Sequence, residues 1–531
     1  MSTLWYGGKI YTMTEENDIV EAVVTDNGKI IDLGNKETLI HMYKDKITKW
    51  EDLNGSVMYP GFVDSHLHII GHGEKLMHID LSQMQSKEEV LEKVAERATE
   101  LDMDEWLIAE GWNENQWDEK EIIHRKELDS VCKDNPVMLT RICRHAVIVN
   151  SKALQLAHIC KDTENPQGGK IIKDDSGEPT GYLLDQAQEL IKNVIPPISD
   201  QLLRKTTERA IQDLLSKGLV GGHTEDLAYY DGFARTLQAY QSILPSTFLF
   251  RAHLLVHHEV FQEMIQSGYV YGDGGEYTEL GAMKIFSDGA LGGRTAWLSE
   301  AYEDDSNNKG IPIHHQDDLE KLIIQARKQN HPIAIHAIGD KASEVVAKLI
   351  KKYPLTNGLR DRIIHAQVTN PDVIQLLKEI DVVLDIQPTF VASDFPWVIE
   401  RIGESRAKQA YAWKTFLENG IHCAAGSDAP IEEVHPLLGI DAFVNRVSSI
   451  DNQTYYPEQC LSVYEAVSLY TKGSAYVIGH EHDRGMIAKG YVADFTLLAE
   501  DLFAIDPIHI KDVQVVGTIV NEQWMYKRQE S

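Results

Sequence analysis

Eight short apolar segments, each followed by a stretch long enough for a helix, run through the middle of this 531-residue chain. They are Met58–Ser65, Leu219–Thr224, Thr247–His257, Leu280–Ser287, Pro332–Ala337, Arg362–Ala366, Val382–Gln387 and Ile421–Gly426. Strands alternating with helices pair in parallel, and such a sheet needs both faces covered. Eight units close on themselves, so the chain predicts an α/β fold built on a (β/α)8 TIM-like barrel. The first and second segments are separated by about 150 residues, far more than a βα connection takes. That span predicts an inserted α+β subdomain at roughly 75–210, with strands Glu105–Glu110 and Val137–Ile142 and turns at Gly168-Gly169-Lys170 and Ser176-Gly177.

The ends read differently. Leu4–Tyr11, Ile19–Thr25 and Lys29–Leu33 are short strands, and Asp26-Asn27-Gly28 is a hairpin signal. The C-terminus repeats the pattern in Ala493–Leu498, Val513–Val520 and Trp524-Met525-Tyr526. Neither end has strands enough for a stable sheet alone. Residues 1–57 and 481–531 are therefore expected to meet in one small β-sandwich, with 58–480 forming the barrel and its insertion.

Charge and composition narrow the partners. A net charge of −31, from 51 Lys+Arg against 82 Asp+Glu, argues against nucleic-acid and anionic-membrane surfaces, which need clustered positive charge. No run approaches the roughly 20 apolar residues of a membrane span. The start, Met1-Ser2-Thr3-Leu4-Trp5, lacks the basic and cleavage regions of a secretory signal. Five cysteines without C-x-x-C spacing read as reduced thiols rather than a disulfide or zinc framework. These features predict a cytoplasmic protein with a small-molecule partner, and the sandwich leaves a surface on which a homodimer can form.

The active end of such a barrel is the C-terminal end of its strands. The polar residues there are His66 and His68 on the first strand, Lys284 on the fourth, His336 on the fifth, His365 on the sixth and Asp428 after the eighth. Each sits in an apolar or small-residue setting, where a polar group needs a partner. Side chains two apart on a strand share a face, so His66 and His68 can hold one ion, although paired histidines also serve as ordinary hydrogen-bonding groups.

The opening Pro60-Gly61-Phe62-Val63-Asp64-Ser65-His66-Leu67-His68, the segment Lys284 to Ala296, His336-Ala337-Ile338-Gly339-Asp340, Gly426-Ser427-Asp428-Ala429-Pro430 and the closing Gly485 to Asp494 resemble the amidohydrolase superfamily, in its YtcJ-like branch, which includes N-substituted formamide deformylase. The resemblance covers nearly the whole chain. One departure is the second strand, Val220-Gly221-Gly222-His223-Thr224-Glu225, where relatives tend to carry Thr-Ser-Val-His-Asp.

The resemblance implies two divalent ions per chain, zinc by preference, with His66, His68 and Asp428 on one, His336 and His365 on the other, and a carboxylated Lys284 as bridge. An unmodified lysine would be repelled by two dications, whereas its carboxylated form is an anionic oxygen ligand. Left uncarboxylated and paired with a carboxylate such as Asp288, Lys284 would instead mark a single-metal site. The implied reaction is hydrolysis of a non-peptide carbon–nitrogen bond, in an N-formyl or N-acyl amine, by a metal-activated hydroxide, with Asp428 moving the proton. A cyclic-amide hydrolase, a deaminase and a non-catalytic metabolite-binding regulator on the same scaffold stay open.

Four further residues are candidates. His223 is a second catalytic group that orients substrate, or a structural histidine. His145 in the insertion, Arg294 in the glycine-rich loop after the fourth strand, and Trp112 beside Trp106 and Trp117 are substrate-binding candidates. Their plainer readings are packing for His145 and Trp112 and an ion pair with Asp288 for Arg294.

Overall fold

The computed structural model describes residues 2–114, 117, 119–141, 146–356 and 358–529. Eight parallel strands form one sheet in chain order: β1 (Phe62–Leu67), β2 (Leu219–Thr224), β3 (Arg251–His257), β4 (Thr278–Phe286), β5 (Ile333–Ala337), β6 (Asp361–His365), β7 (Val382–Ile386) and β8 (His422–Ala425). Every residue of β2, β3, β5, β6 and β7 is buried, as expected of parallel strands covered on both faces. Leu255, Ala282, Ala334 and Ile364, from β3 to β6, pack as one buried layer, so the interior is filled rather than open.

The barrel closes between β8 and β1 through the turn after β8. Asp428 N–H donates to His66 O and His68 N–H to Ala429 O, each at 2.7 Å. The buried Asp64 carboxylate accepts from His66 N–H and Ser427 N–H at 3.0 Å. A Cβ on Gly426 would lie 2.5 Å from His66 N, so glycine is what allows this approach.

The first expected strand, Met58–Ser65, is divided. Val57–Pro60 pairs antiparallel with Phe495–Leu498, and only from Phe62 does the chain join the barrel. Gly61 is the crossing point: its N–H donates to Asp494 O, and a side chain there would strike Val220 at 2.4 Å. The two ends of the chain share an eight-stranded sheet. Its first strand, Ser2–Tyr11, pairs with Ile19–Asp26, Ile47–Asp52 and, at Ile10, with Val57–Pro60. Trp5 packs against both Phe495 and Trp524, at ring separations of 5.8 and 6.0 Å. The Asn27-Gly28 hairpin forms with positive φ at both residues, 51° and 74°, the conformation that favours this pair.

By its internal contacts the chain divides into two compact units, 73–206 and the remainder. The inserted unit carries a six-stranded sheet ordered Gly169–Lys173, Pro179–Asp185, Ala146–Val149, Val137–Arg141, Leu107–Trp112, Ile79–Asp80. Its core is built around Trp112, Trp117, Val90, Val94 and Leu139. No helix among the described residues is long and apolar enough to cross a membrane. Cys132, Cys160, Cys423 and Cys460 are free thiols; Cys143 lies outside the described residues.

Candidate metal centre

Register decides which side chains reach the C-terminal end of the barrel together. Across β4 and β5, Phe286 lies opposite His336; across β5 and β6, Ala337 lies opposite His365. On β1 the pairing slips: Gly222 faces Asp64 but Thr224 faces Leu67, so β1 carries one extra residue. Such a bulge re-aims the side chains beyond it. Two ligand candidates occupy backbone conformations that L-residues avoid, His365 at φ 78° and Asp428 at φ 60°, strain of the kind that collects at functional sites.

His66, His68, Lys284, His336, His365 and Asp428 line one cavity of about 400 Å³. His66 Nε2 and His68 Nε2 each lie 3.4 Å from Asp428 Oδ1, and the three residues form a group whose ligand atoms all lie within 4.8 Å of one another. The His336 and His365 rings are 4.5 Å apart, and His365 stands 5.6 Å from His66. Lys284 Nζ reaches His66 Nε2 at 3.3 Å.

The surroundings set the direction of each ring. His68 Nδ1 lies 3.3 Å from Glu225 O, His365 Nδ1 2.8 Å from Gln387 Oε1, and His336 Nε2 3.2 Å from Gly289 O. Tying one nitrogen to an acceptor leaves the other for a ligand, the usual arrangement around a protein metal ion. Asp288 steadies the same wall, accepting from the N–H groups of Ile338, Gly339 and Trp297 while standing 3.5 Å from His336.

Burial holds His66 and His336 well below the ordinary imidazole range and takes His365 down to about 4, so these rings are neutral at pH 7, the form that binds metal. His68 goes the other way. Burial opposes its charge, but the Asp428 hydrogen bond and the Glu225 carboxylate outweigh that and push it up to about 9. Burial likewise opposes the charge on Asp428, yet His68 and His365 hold it below the usual carboxylate range. Three neutral imidazoles beside an ionised carboxylate, with His68 able to join them once a bound cation displaces its proton, are a donor set that fits a divalent cation of the zinc class.

Of the remaining sequence candidates, none described joins this cavity. His223 sits one step short of the end of its strand. Its Nδ1 faces Arg362 at 3.3 Å and its ring packs against His253 at 5.1 Å, so it is dropped from the catalytic set. Glu225, two residues on and therefore about 7 Å further along the strand, holds the position His223 was expected to fill. Glu225 is fully buried, lies 3.1 Å from Lys284 Nζ, and accepts from the Tyr229 hydroxyl at 2.6 Å. The unmodified lysine thus pairs with Glu225, not with Asp288.

Arg294 makes a two-pronged pair with Asp304, at 3.1 and 2.7 Å, again not with Asp288, and is absent from the cavity wall. Trp112 is buried in the core of the inserted unit, its Nε1–H donating to Leu139 O at 3.0 Å; it is a packing residue. His145 lies outside the described residues. The sequence reading missed Glu225, Gln387 and the cavity-lining Asp394. Glu225 carried a readable signal, an acidic residue sharing a strand face with His223.

A (β/α)8 barrel with four histidines, a lysine and an aspartate gathered at its strand ends defines a hydrolytic enzyme of the metal-assisted type. Residues 49–526 match the amidohydrolase family, to which this chain belongs. YtcJ of Bacillus subtilis, an amidohydrolase by name, is 49% identical over 99% of this chain and 100% of its own length. N-substituted formamide deformylase of Arthrobacter pascens is 24% identical over 98% and 97% of the two chains. A metal-dependent hydrolase from Pyrococcus horikoshii superposes with a TM-score of 0.77 at 27% identity, over 96% of this chain and 99% of that one.

Proposed function

We infer that the protein hydrolyses the carbon–nitrogen bond of an N-formyl or N-acyl amine. The observation that carries this reading is the gathering of His66, His68, His336, His365, Lys284 and Asp428 around one cavity whose other walls are largely apolar, including Phe286, Leu291, Ile338, Phe390 and Trp397. Such a pocket holds an organic amide by its body and presents its carbonyl to a few polar groups. The deformylase likeness supports the same substrate class.

His66, His68 and Asp428 would hold one divalent ion and His336 and His365 a second, with carboxylated Lys284 between them. Bound ions supply an acidified water and a polarised amide carbonyl. The rest falls to the chain. Asp428, ionised at neutral pH and within 3.4 Å of two imidazoles, takes the proton from the attacking water and returns it to the departing nitrogen. Gln387 and the Glu225 carbonyl fix His365 and His68 by their far nitrogens. The apolar walls receive the body of the amide. Lys284 favours this reading over a deaminase, which usually lacks that residue.

The test is metal content per folded chain after reconstitution with zinc and bicarbonate, beside Lys284→Ala, followed by hydrolysis of a panel of N-formyl and N-acyl amines. Two ions in the parent, fewer in the variant and metal-dependent release of amine are expected. One ion in both overturns the bridged site, and no amide turned over by the metal-loaded protein overturns the reaction.

A further inference from the structure

The metal-ligand cavity contains one carboxylate that the reaction does not use. Asp394 ends the short helix Thr389–Asp394 that follows β7, and its side chain lines the same cavity as Asp428 and the histidines. Phe390, one turn earlier on that helix and so on the same face, stands 6.5 Å from the His365 ring. Asp394 thus lies about one helical turn, roughly 5 Å along the axis, from Phe390. The rest of the cavity wall is largely apolar and in part aromatic, with Phe286, Phe390 and Trp397 among its side chains.

Asp394 is only 8% exposed, and burying a carboxylate is costly unless it is compensated. The compensation visible in the chain is incomplete. The Tyr411 hydroxyl donates to one oxygen and the Ser393 side chain adds a second hydrogen bond, but an ionised carboxylate offers about four acceptor positions. The charged group that acts on Asp394 is a second carboxylate, Glu432, and burial together with that repulsion pushes Asp394 up to about 7 against the Tyr411 and Ser393 hydrogen bonds. A buried carboxylate in a ligand cavity, with no basic side chain paired to it among the described residues and a like charge beside it, is held in its charged form by a cation that arrives with the ligand.

Resting on the amide-hydrolase reading above, we propose that the substrate is an amide whose apolar, ring-bearing body ends in a basic nitrogen, and that Asp394 is the specificity residue receiving that nitrogen. The amide then lies at the metal ligands, the ring between Phe286, Phe390 and Trp397, and the ammonium at Asp394. Tyr411 fixes the carboxylate from behind. The chain's net charge of −31 draws such a cation toward the protein.

Two ligand pairs test this, each differing by the distal nitrogen alone. The first is 1,4-bis(aminomethyl)benzene against 4-methylbenzylamine, as product mimics, with affinity read by calorimetry on the zinc-reconstituted protein. The second is their mono-N-formyl derivatives, with kcat and KM read separately. The diamine is expected to bind at least about tenfold tighter than the methyl compound, and its formyl derivative to have a KM lower by a similar factor at comparable kcat. In Asp394→Asn, which keeps an acceptor for Tyr411, both ratios should fall to within twofold.

Equal binding of the two amines in the parent protein overturns the proposal, whether or not the variant folds. So does an unchanged preference in a folded Asp394→Asn. If neither amide is hydrolysed while the diamine retains its Asp394-dependent advantage, cation recognition stands and the amide reading is what fails. If both amides are hydrolysed equally well, the amide reading stands and the cationic tail falls.

Discussion

Two histidine-rich layers lie one above the other inside the barrel, and among the described residues the group able to hold an ion lies in one of them. At the strand ends, His66, His68, His336 and His365 meet Asp428 and Lys284. One strand step deeper, His223 and His253 meet Arg362, Asp385 and Glu279. Arg362 bridges His223 at 3.3 Å and Asp385 at 3.4 Å, while His253 lies 3.7 Å from Glu279. Both layers are buried and rich in titratable groups. In the upper layer His68, His336 and His365 each have one nitrogen tied to an acceptor, and the ligand atoms of His66, His68 and Asp428 come within 4.8 Å of one another. In the lower layer His223 faces a guanidinium and His253 a carboxylate, and His223, His253, Glu279 and Arg484 border a void of only about 30 Å³, room for water rather than substrate. Among the described residues, the group able to hold a metal is in the upper layer. Convergence, not histidine count, makes a metal site.

That contrast can be broken at the top first. Asp428→Asn should lower kcat by about a thousandfold, within the range for a lost acid–base group, while substrate still binds. Steady-state kinetics with calorimetric binding decides it, and a kcat within tenfold of the parent removes Asp428 from proton transfer. Glu225→Gln comes next. In protein free of metal and bicarbonate it leaves the Lys284 ammonium buried without its counter-charge, and breaking a buried pair costs about 3–5 kcal/mol. Thermal unfolding should show that loss, and loading with zinc and bicarbonate should shrink it. Unchanged unfolding in the unloaded state would mean the 3.1 Å pair does not carry the lysine's charge.

In the lower layer, His223→Ala should cost about 1–3 kcal/mol through the polar groups it leaves unpaired. Metal content and KM should not move. Loss of metal from a folded His223→Ala protein would make His223 a ligand and dissolve the distinction between the layers.

The difference between the layers also explains what was legible in the chain. His66, His68, Lys284, His336, His365 and Asp428 stood out because a polar residue at the end of an apolar strand must answer to something, and barrel topology gathers those ends. His223 met the same criterion and misled, because residue type does not report depth: a shift of two positions along a strand moves a side chain about 7 Å while keeping its face. Glu225 reads only as part of the second-strand motif, and the bulge that shifts the β1 register is a matter of pairing that sequence alternation does not encode. Gln387 closes a predicted strand but lies outside every motif that carries the resemblance, and Asp394 belongs to a βα connection, where no periodicity marks which way a side chain turns. The strand-turn-strand pattern of the ends was local and readable; that Pro60 belongs to the terminal sheet and Phe62 to the barrel depends on Val220, which lies far away in sequence.

The smallest effect is expected outside both layers, and it tests whether the contrast is complete. Arg294 entered as a substrate-binding candidate because it follows the Lys284 segment in a glycine-rich loop, at φ 55°. Its guanidinium is committed to Asp304, which also receives Arg401, and the Arg294 and Asp304 side chains are 35% and 25% exposed. A partly exposed ion pair contributes about 0–1 kcal/mol, because water screens the charges and two side chains are ordered to make it. Arg401 would keep Asp304 paired after Arg294 is removed. Arg294→Ala should therefore change stability by less than about 1 kcal/mol and leave kcat/KM within twofold. A loss of tenfold or more in kcat/KM with unfolding unchanged would mean that Arg294 leaves Asp304 to reach the substrate, and that the loop after β4 takes part in recognition alongside the cavity wall.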